Sequence, residues 1–181
     1  MRAHLLKAVV IVLLLPAGAA AQARMPHAGA GAVGGDVGVF LPRQDGMTNG
    51  PVLAGFYEYY LSARDSLRLG VGWLNPEQEA NHEAKMRQIR FGGDIVHNWE
   101  GGSVHPFVGV GLAAYNLQPR VKGSNVGDSA TKIGGNILGG VEFFPSGTFS
   151  IKGEASYHIV QKSGAYNPSG LALTIGAKAY F

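Results

Sequence analysis

Glu154, Ser156 and His158 alternate along one short stretch, an acid, a hydroxyl and an imidazole, which is the side-chain set of a hydrolase working through an activated serine. In extended chain, however, successive same-face residues lie ~7 Å apart, well beyond the ~3 Å that a direct serine-to-histidine hydrogen bond needs. The same three groups on an inward face make a hydrogen-bonded lining, and that is the role expected of them. A larger set of charges shares such faces: Asp36, Glu58, Arg68, Arg90, Asp94, Glu142, Lys152, Glu154 and Lys178. These acids and bases nearly cancel. Paired, hydrogen-bonded networks are therefore expected, because a lone buried ion costs several kcal/mol. Lys152 and Glu154 share one strand face, and Arg68, Arg90, Asp94, Glu142 and Lys178 complete the expected network. Glu79, His82 and Glu83 could collect a divalent ion, but on a polar connection with no cysteine they read as solvated charges. Gly109-Val110-Gly111 lies mid-strand with no helix behind it, so it is a packing element rather than a phosphate loop. No catalytic, cofactor-binding or metal-ligating residue is expected.

The elements that must hold these charges are strands. Period-two alternation picks out eight of them, near 33–41, 52–61, 67–74, 87–99, 104–116, 133–143, 149–159 and 171–181. The last shows Leu171, Leu173, Ile175, Ala177, Ala179 and Phe181 on one face and polar or small residues between. All nine charges fall on the faces opposite the apolar ones. A lipid-facing Arg or Lys near the midplane costs ~2 to 4 kcal/mol, so lipid on the apolar side would enforce that sorting. Alternation alone does not say which face is outside, since a soluble ligand-carrying barrel would reverse it. The outward assignment of the apolar face rests on the aromatic final strand, the leader and the connection lengths together.

Met1 to Lys7 carries Arg2 and Lys7, an apolar run follows over 8–15, and Ala19-Ala20-Ala21 and Ala21-Gln22-Ala23 offer cleavage sites. Residues 1–21 are read as a cleaved signal peptide, 22–31 as a short lead and 32–181 as one barrel domain. Without Arg2 and Lys7 the formal charge of +3 falls to +1, so no nucleic-acid partner is implied. There are 28 glycines and no cysteine, which leaves backbone hydrogen bonding and burial to stabilise an exported chain.

Connections alternate between tight ones at 62–66, 100–103 and 145–148 and longer ones at 42–51, 75–86, 117–131 and 161–170. Short turns face the periplasm in transmembrane barrels. Tyr57, Tyr59, Trp99, Phe143, Phe149 and Phe181 gather on outward faces at that end, as an interfacial girdle would. The expected architecture is all-β, an eight-stranded antiparallel up-and-down transmembrane β-barrel.

The segment Asn98-Trp99-Glu100-Gly101-Gly102-Ser103-Val104-His105-Pro106-Phe107-Val108-Gly109-Val110-Gly111 and the ending Ala177-Lys178-Ala179-Tyr180-Phe181 resemble the small outer-membrane β-barrels of the OmpA/OmpX type. The resemblance covers essentially the whole mature chain. It implies the outer membrane of a Gram-negative cell, lipid and lipopolysaccharide as surroundings, and barrel-assembly machinery that reads the last strand through Leu173, Ile175, Ala177, Ala179 and Phe181. Members of this group include structural proteins, adhesins, narrow channels and lipid-modifying enzymes. The membrane deacylases among them carry a His-x-Ser spacing, and here Val160 stands where that serine would be. The expected role is structural or surface-interacting, with a side-chain-filled lumen and the external loops as the contact surface for an extracellular ligand. A narrow solute channel is the second reading and lipid A modification the third. Inward glycines, including Gly70, Gly72, Gly92, Gly109, Gly111, Gly140 and Gly176, leave room for water under the channel reading.

Overall fold

The computed structural model describes residues 26–181, so the expected signal peptide and residues 22–25 of the lead lie outside the described residues. Eight long strands form the wall: β1 (Gly31–Pro42), β2 (Gly50–Tyr60), β3 (Asp65–Leu74), β4 (Asn81–Asn98), β5 (Val104–Val121), β6 (Ala130–Ser146), β7 (Phe149–Val160) and β8 (Gly170–Tyr180). Each pairs antiparallel with its sequence neighbours, and β8 pairs back onto β1 from Ala32–Tyr180 to Pro42–Gly170. The sheet is closed and has no free edge in the wall, the condition lipid imposes on backbone polar groups. At the seam Gly31 and Phe181 exchange two backbone hydrogen bonds of 2.9 Å.

Register fixes the shape. A path across the paired residues runs Gly31, Tyr59, Leu67, Ile95, Val110, Ile137, Tyr157, Leu171 and returns to β1 at Leu41. The return is ten residues along from the start, 41 against 31. A stagger of ten over eight strands tilts them by about 40° and gives a radius of about 8 Å, room for side chains and little else.

The outward residues are those the alternation assigns to the apolar faces. Leu112 is 73% exposed and Phe91 and Ile175 are each 67% exposed, which water would penalise and hydrocarbon does not. On β4 the uncharged outward stretch runs from below Arg87 to the His97–Asp65 pair, ten residues or about 25 Å along the barrel axis, the height of a membrane belt.

Two connections differ from the sequence expectation. β4 begins at Asn81 rather than near 87, and β5 and β6 leave only residues 122–129 between them. The ladder continues to Ala84–Val121 although apolar alternation has stopped, because beyond the belt both faces meet water. Met47–Thr48 pairs with Glu77–Gln78, Glu77 with Lys85, and Ser124–Asn125 with Val121 and Arg120, so a small sheet stands outside the belt on the long-loop side.

Candidate functional site

The interior is layered. At the short-turn end Tyr60, Tyr180, Ala30 and Ala32 form a buried cluster against Phe144. Toward the long-loop end, Phe40, Val52, Leu74 and Ala172 form a second cluster, and Ala113, Tyr115, Leu117 and Val160 a third that packs on Met86 and Tyr166. The charges lie between these layers.

Seven of the nine expected charges form one chain of contacts. Lys178 Nζ lies 2.8 Å from Glu142 and 2.9 Å from Glu58; Arg68 then links Glu58 at 3.2 Å to Glu154 at 2.7 Å. Lys152 joins Glu154 at 2.8 Å to Asp36 at 3.0 Å. Glu142 also accepts from the hydroxyls of Ser150 and Tyr180, and Glu58 from Ser66. Phe56 supplies a ring face 4.8 Å from the Arg68 guanidinium carbon and 4.9 Å from Lys152 Nζ. The remaining two charges do not join that chain. Arg90 donates to Asp94 at 2.7 Å and to Asn136 at 2.9 Å, and Asn136 donates to Asp94 at 2.9 Å, closing a separate triad. Asn136 has inward parity on β6, a signal the sequence offered; the partners of each charge needed the stagger as well.

Glycines make these placements possible, and not by leaving water space. Gly176 sits opposite Asp36 and Gly111 opposite Asp94; a Cβ on either would fall within about 2 Å of the carboxylate oxygen. The positions at Gly92, Gly109 and Gly140 are likewise filled, by Ala113, Leu138 and the Phe107 ring. Gly70 and Gly72 are the expected water-space glycines that border a cavity of about 60 Å³ between Arg68 and Arg90.

Glu154, Ser156 and His158 share the inward face of β7, as alternation requires, but they are wired apart. Glu154 is held by Arg68 and Lys152, while His158 Nδ1 pairs with the Tyr115 hydroxyl at 2.8 Å. No hydrogen bond joins Ser156 to His158 among the described residues. An acyl chain in the surrounding lipid would also meet the opposite face of the wall.

Tyr57, Tyr59, Trp99, Phe143, Phe149 and Phe181 all project outward at the short-turn end, with the Tyr57 and Phe181 rings 6.4 Å apart. Leu173, Ile175, Ala177 and Ala179 lie on the outward face of β8, paired with Val39, Val37, Gly35 and Val33 of β1. At the other end residues 161–169 fold across the mouth. Tyr166 accepts a 2.8 Å hydrogen bond from Gln88 Nε2, and Arg43 N donates to the Ser169 carbonyl at 2.9 Å. Burial pushes the Tyr166 phenol well above its ordinary value, so it stays neutral. Nothing in the local sequence marked Tyr166 as a plug, since it sits in a connection with no periodicity.

A family model described as outer membrane protein beta-barrel domain matches residues 8–181. The chain belongs to that family. Several proteins of known structure share the fold at low identity. Neisserial surface protein A gives a TM-score of 0.66 at 15% identity, covering 85% of this chain and 98% of its own. The N-terminal β-barrel domain of Pseudomonas aeruginosa OprF gives 0.60 at 15% identity, with coverage of 86% and 100%. Ail, the attachment invasion locus protein of Yersinia pestis, gives 0.58 at 14% identity, with coverage of 85% and 99%. No curated protein sequence matches the chain. Membership in this family places the barrel in an outer membrane.

Proposed function

We propose that the barrel is a structural, non-conducting and non-enzymatic element of the outer membrane whose extracellular loops and small outer sheet are its contact surface. The observation that carries this reading is the layering of the lumen: aromatic and aliphatic clusters lie on both sides of a charge network whose members are paired with one another. An ion crossing would have to break salt bridges and pass the aromatic and aliphatic clusters on either side of them. Loops on a rigid scaffold are where recognition resides, and here the outer sheet stiffens three of the four long connections. β8 serves the assembly machinery as its recognition strand, with Phe181 at its end.

Planar-bilayer recording tests the proposal. The purified barrel is expected to give no steady openings. Steady openings whose size shifts when Lys152 or Glu154 is replaced would establish the narrow-channel reading instead. Mass spectrometry of lipid A from cells with and without the protein is expected to show the same acyl pattern, and a lost or added chain would make it an enzyme.

A further inference from the structure

Just beyond the lipid belt, on the outward face of β4 and β5, three cations stand together. Lys85 is paired across the ladder with Arg120, and Arg87 with Gln118, so the three are direct or diagonal neighbours with Cβ atoms about 5 to 8 Å apart. Lys85 is engaged by Glu77. Arg87 and Arg120 have no carboxylate partner among the described residues, and the Nε of each is shielded from solvent and unpaired. Arg120 Nη2 donates to the Gly123 carbonyl. Two neighbouring guanidiniums without a protein counter-charge repel, and the arrangement is relieved by an anion from outside.

What lies below says which anion. One rung nearer the membrane, Asn116 and Thr131 face each other, with Asn116 Nδ2 3.4 Å from Thr131 Oγ1. Beneath them Phe91, Leu112 and Ile133 are apolar and strongly exposed. Cations over a polar rung over hydrocarbon complement an amphiphile with an anionic head and acyl chains. The cations stand at the long-loop end of the belt, which is the outer leaflet, and a guanidinium fork matches phosphate oxygens two at a time.

We propose that Arg87 and Arg120 bind a phosphate of the lipid A part of lipopolysaccharide, whose acyl chains lie on Phe91, Leu112 and Ile133. The proposal rests on the outer-membrane placement above.

The test uses the full barrel refolded in detergent and titrated with diphosphoryl lipid A, following the thermal unfolding midpoint. Lipid A is expected to raise it by about 3 °C near saturation. Arg87→Ala with Arg120→Ala is expected to bind about tenfold more weakly, Arg87→Lys to lose part of the effect, and Lys162→Ala, in the connection across the mouth, to bind as the parent does. Equal binding by the arginine double variant overturns the site. So does an equal loss in the Lys162 variant, which would mean diffuse charge attraction, or an equal rise with phosphatidylglycerol. Insertion into lipid vesicles is measured alongside: a barrel that inserts yet ignores lipid A defeats this proposal alone, whereas one that does not insert defeats the membrane placement.

Discussion

Lys178 touches two carboxylates, Glu58 and Glu142, and is 1% exposed. Removing one partner of a buried pair leaves the other uncompensated, which costs about 3 to 5 kcal/mol. Lys178→Met is therefore expected to lower the stability of the folded barrel by about 3 kcal/mol, read from urea unfolding in lipid vesicles. Adding Glu142→Gln is expected to recover part of that loss, because the two changes act on one contact. Gly176 makes a different demand. It faces Asp36 so closely that Gly176→Ala must displace the carboxylate from Lys152, and a loss of about 2 kcal/mol is expected in the same assay. Gly153 makes the contrast: on the lipid side of β7 an added Cβ meets nothing within 4 Å, and Gly153→Ala is expected to be neutral or mildly stabilising.

Among the elements, the outer sheet is the one whose pairing should respond to pH. A hydrogen bond from Lys85 holds the Glu77 carboxyl below its ordinary 4.5, with the Lys85 and His82 charges adding to the effect. Because the folded value is the lower one, this contribution is complete above about 4.5 and is lost as pH falls through the depressed value. Hydrogen-exchange protection around Glu77 and Lys85 is expected to weaken on acidification below that point, after correction for intrinsic exchange, while Lys85→Met removes the dependence. The strands themselves were legible from alternation wherever one face meets lipid and the other the lumen. The ends of β4 and β5 were not, because past the belt water bathes both faces and only the backbone ladder continues. Which side of each strand a charge occupies was likewise readable from parity. That Arg90 and Asp94 form their own triad was not, since partners depend on a stagger that no single strand encodes. The Arg87–Arg120 juxtaposition escaped for both reasons: Arg120 lies in the unread extension of β5, and its nearness to Arg87, the first residue of the expected fourth strand, depends on the pairing.

At the scale of the molecule, closure is the property from which the rest follows. A barrel whose wall closes on itself should resist detergent until heated, so boiled and unboiled samples are expected to migrate differently on a gel, and a single shared mobility would contradict a closed wall. The seam adds a temporal constraint. β1 and β8 are separated by nearly the whole domain in sequence yet hydrogen-bond along eleven residue pairs, so the first ribbon emerging from synthesis has its mate delivered last. Until then one flank of β1 is an open template for any passing strand, and ring closure carries the entropy of the longest loop the chain can form. A ribbon that is dangerous while unfinished needs an escort for the whole interval, and the moment of safety is set by arrival of the final strand rather than by the collapse of any core.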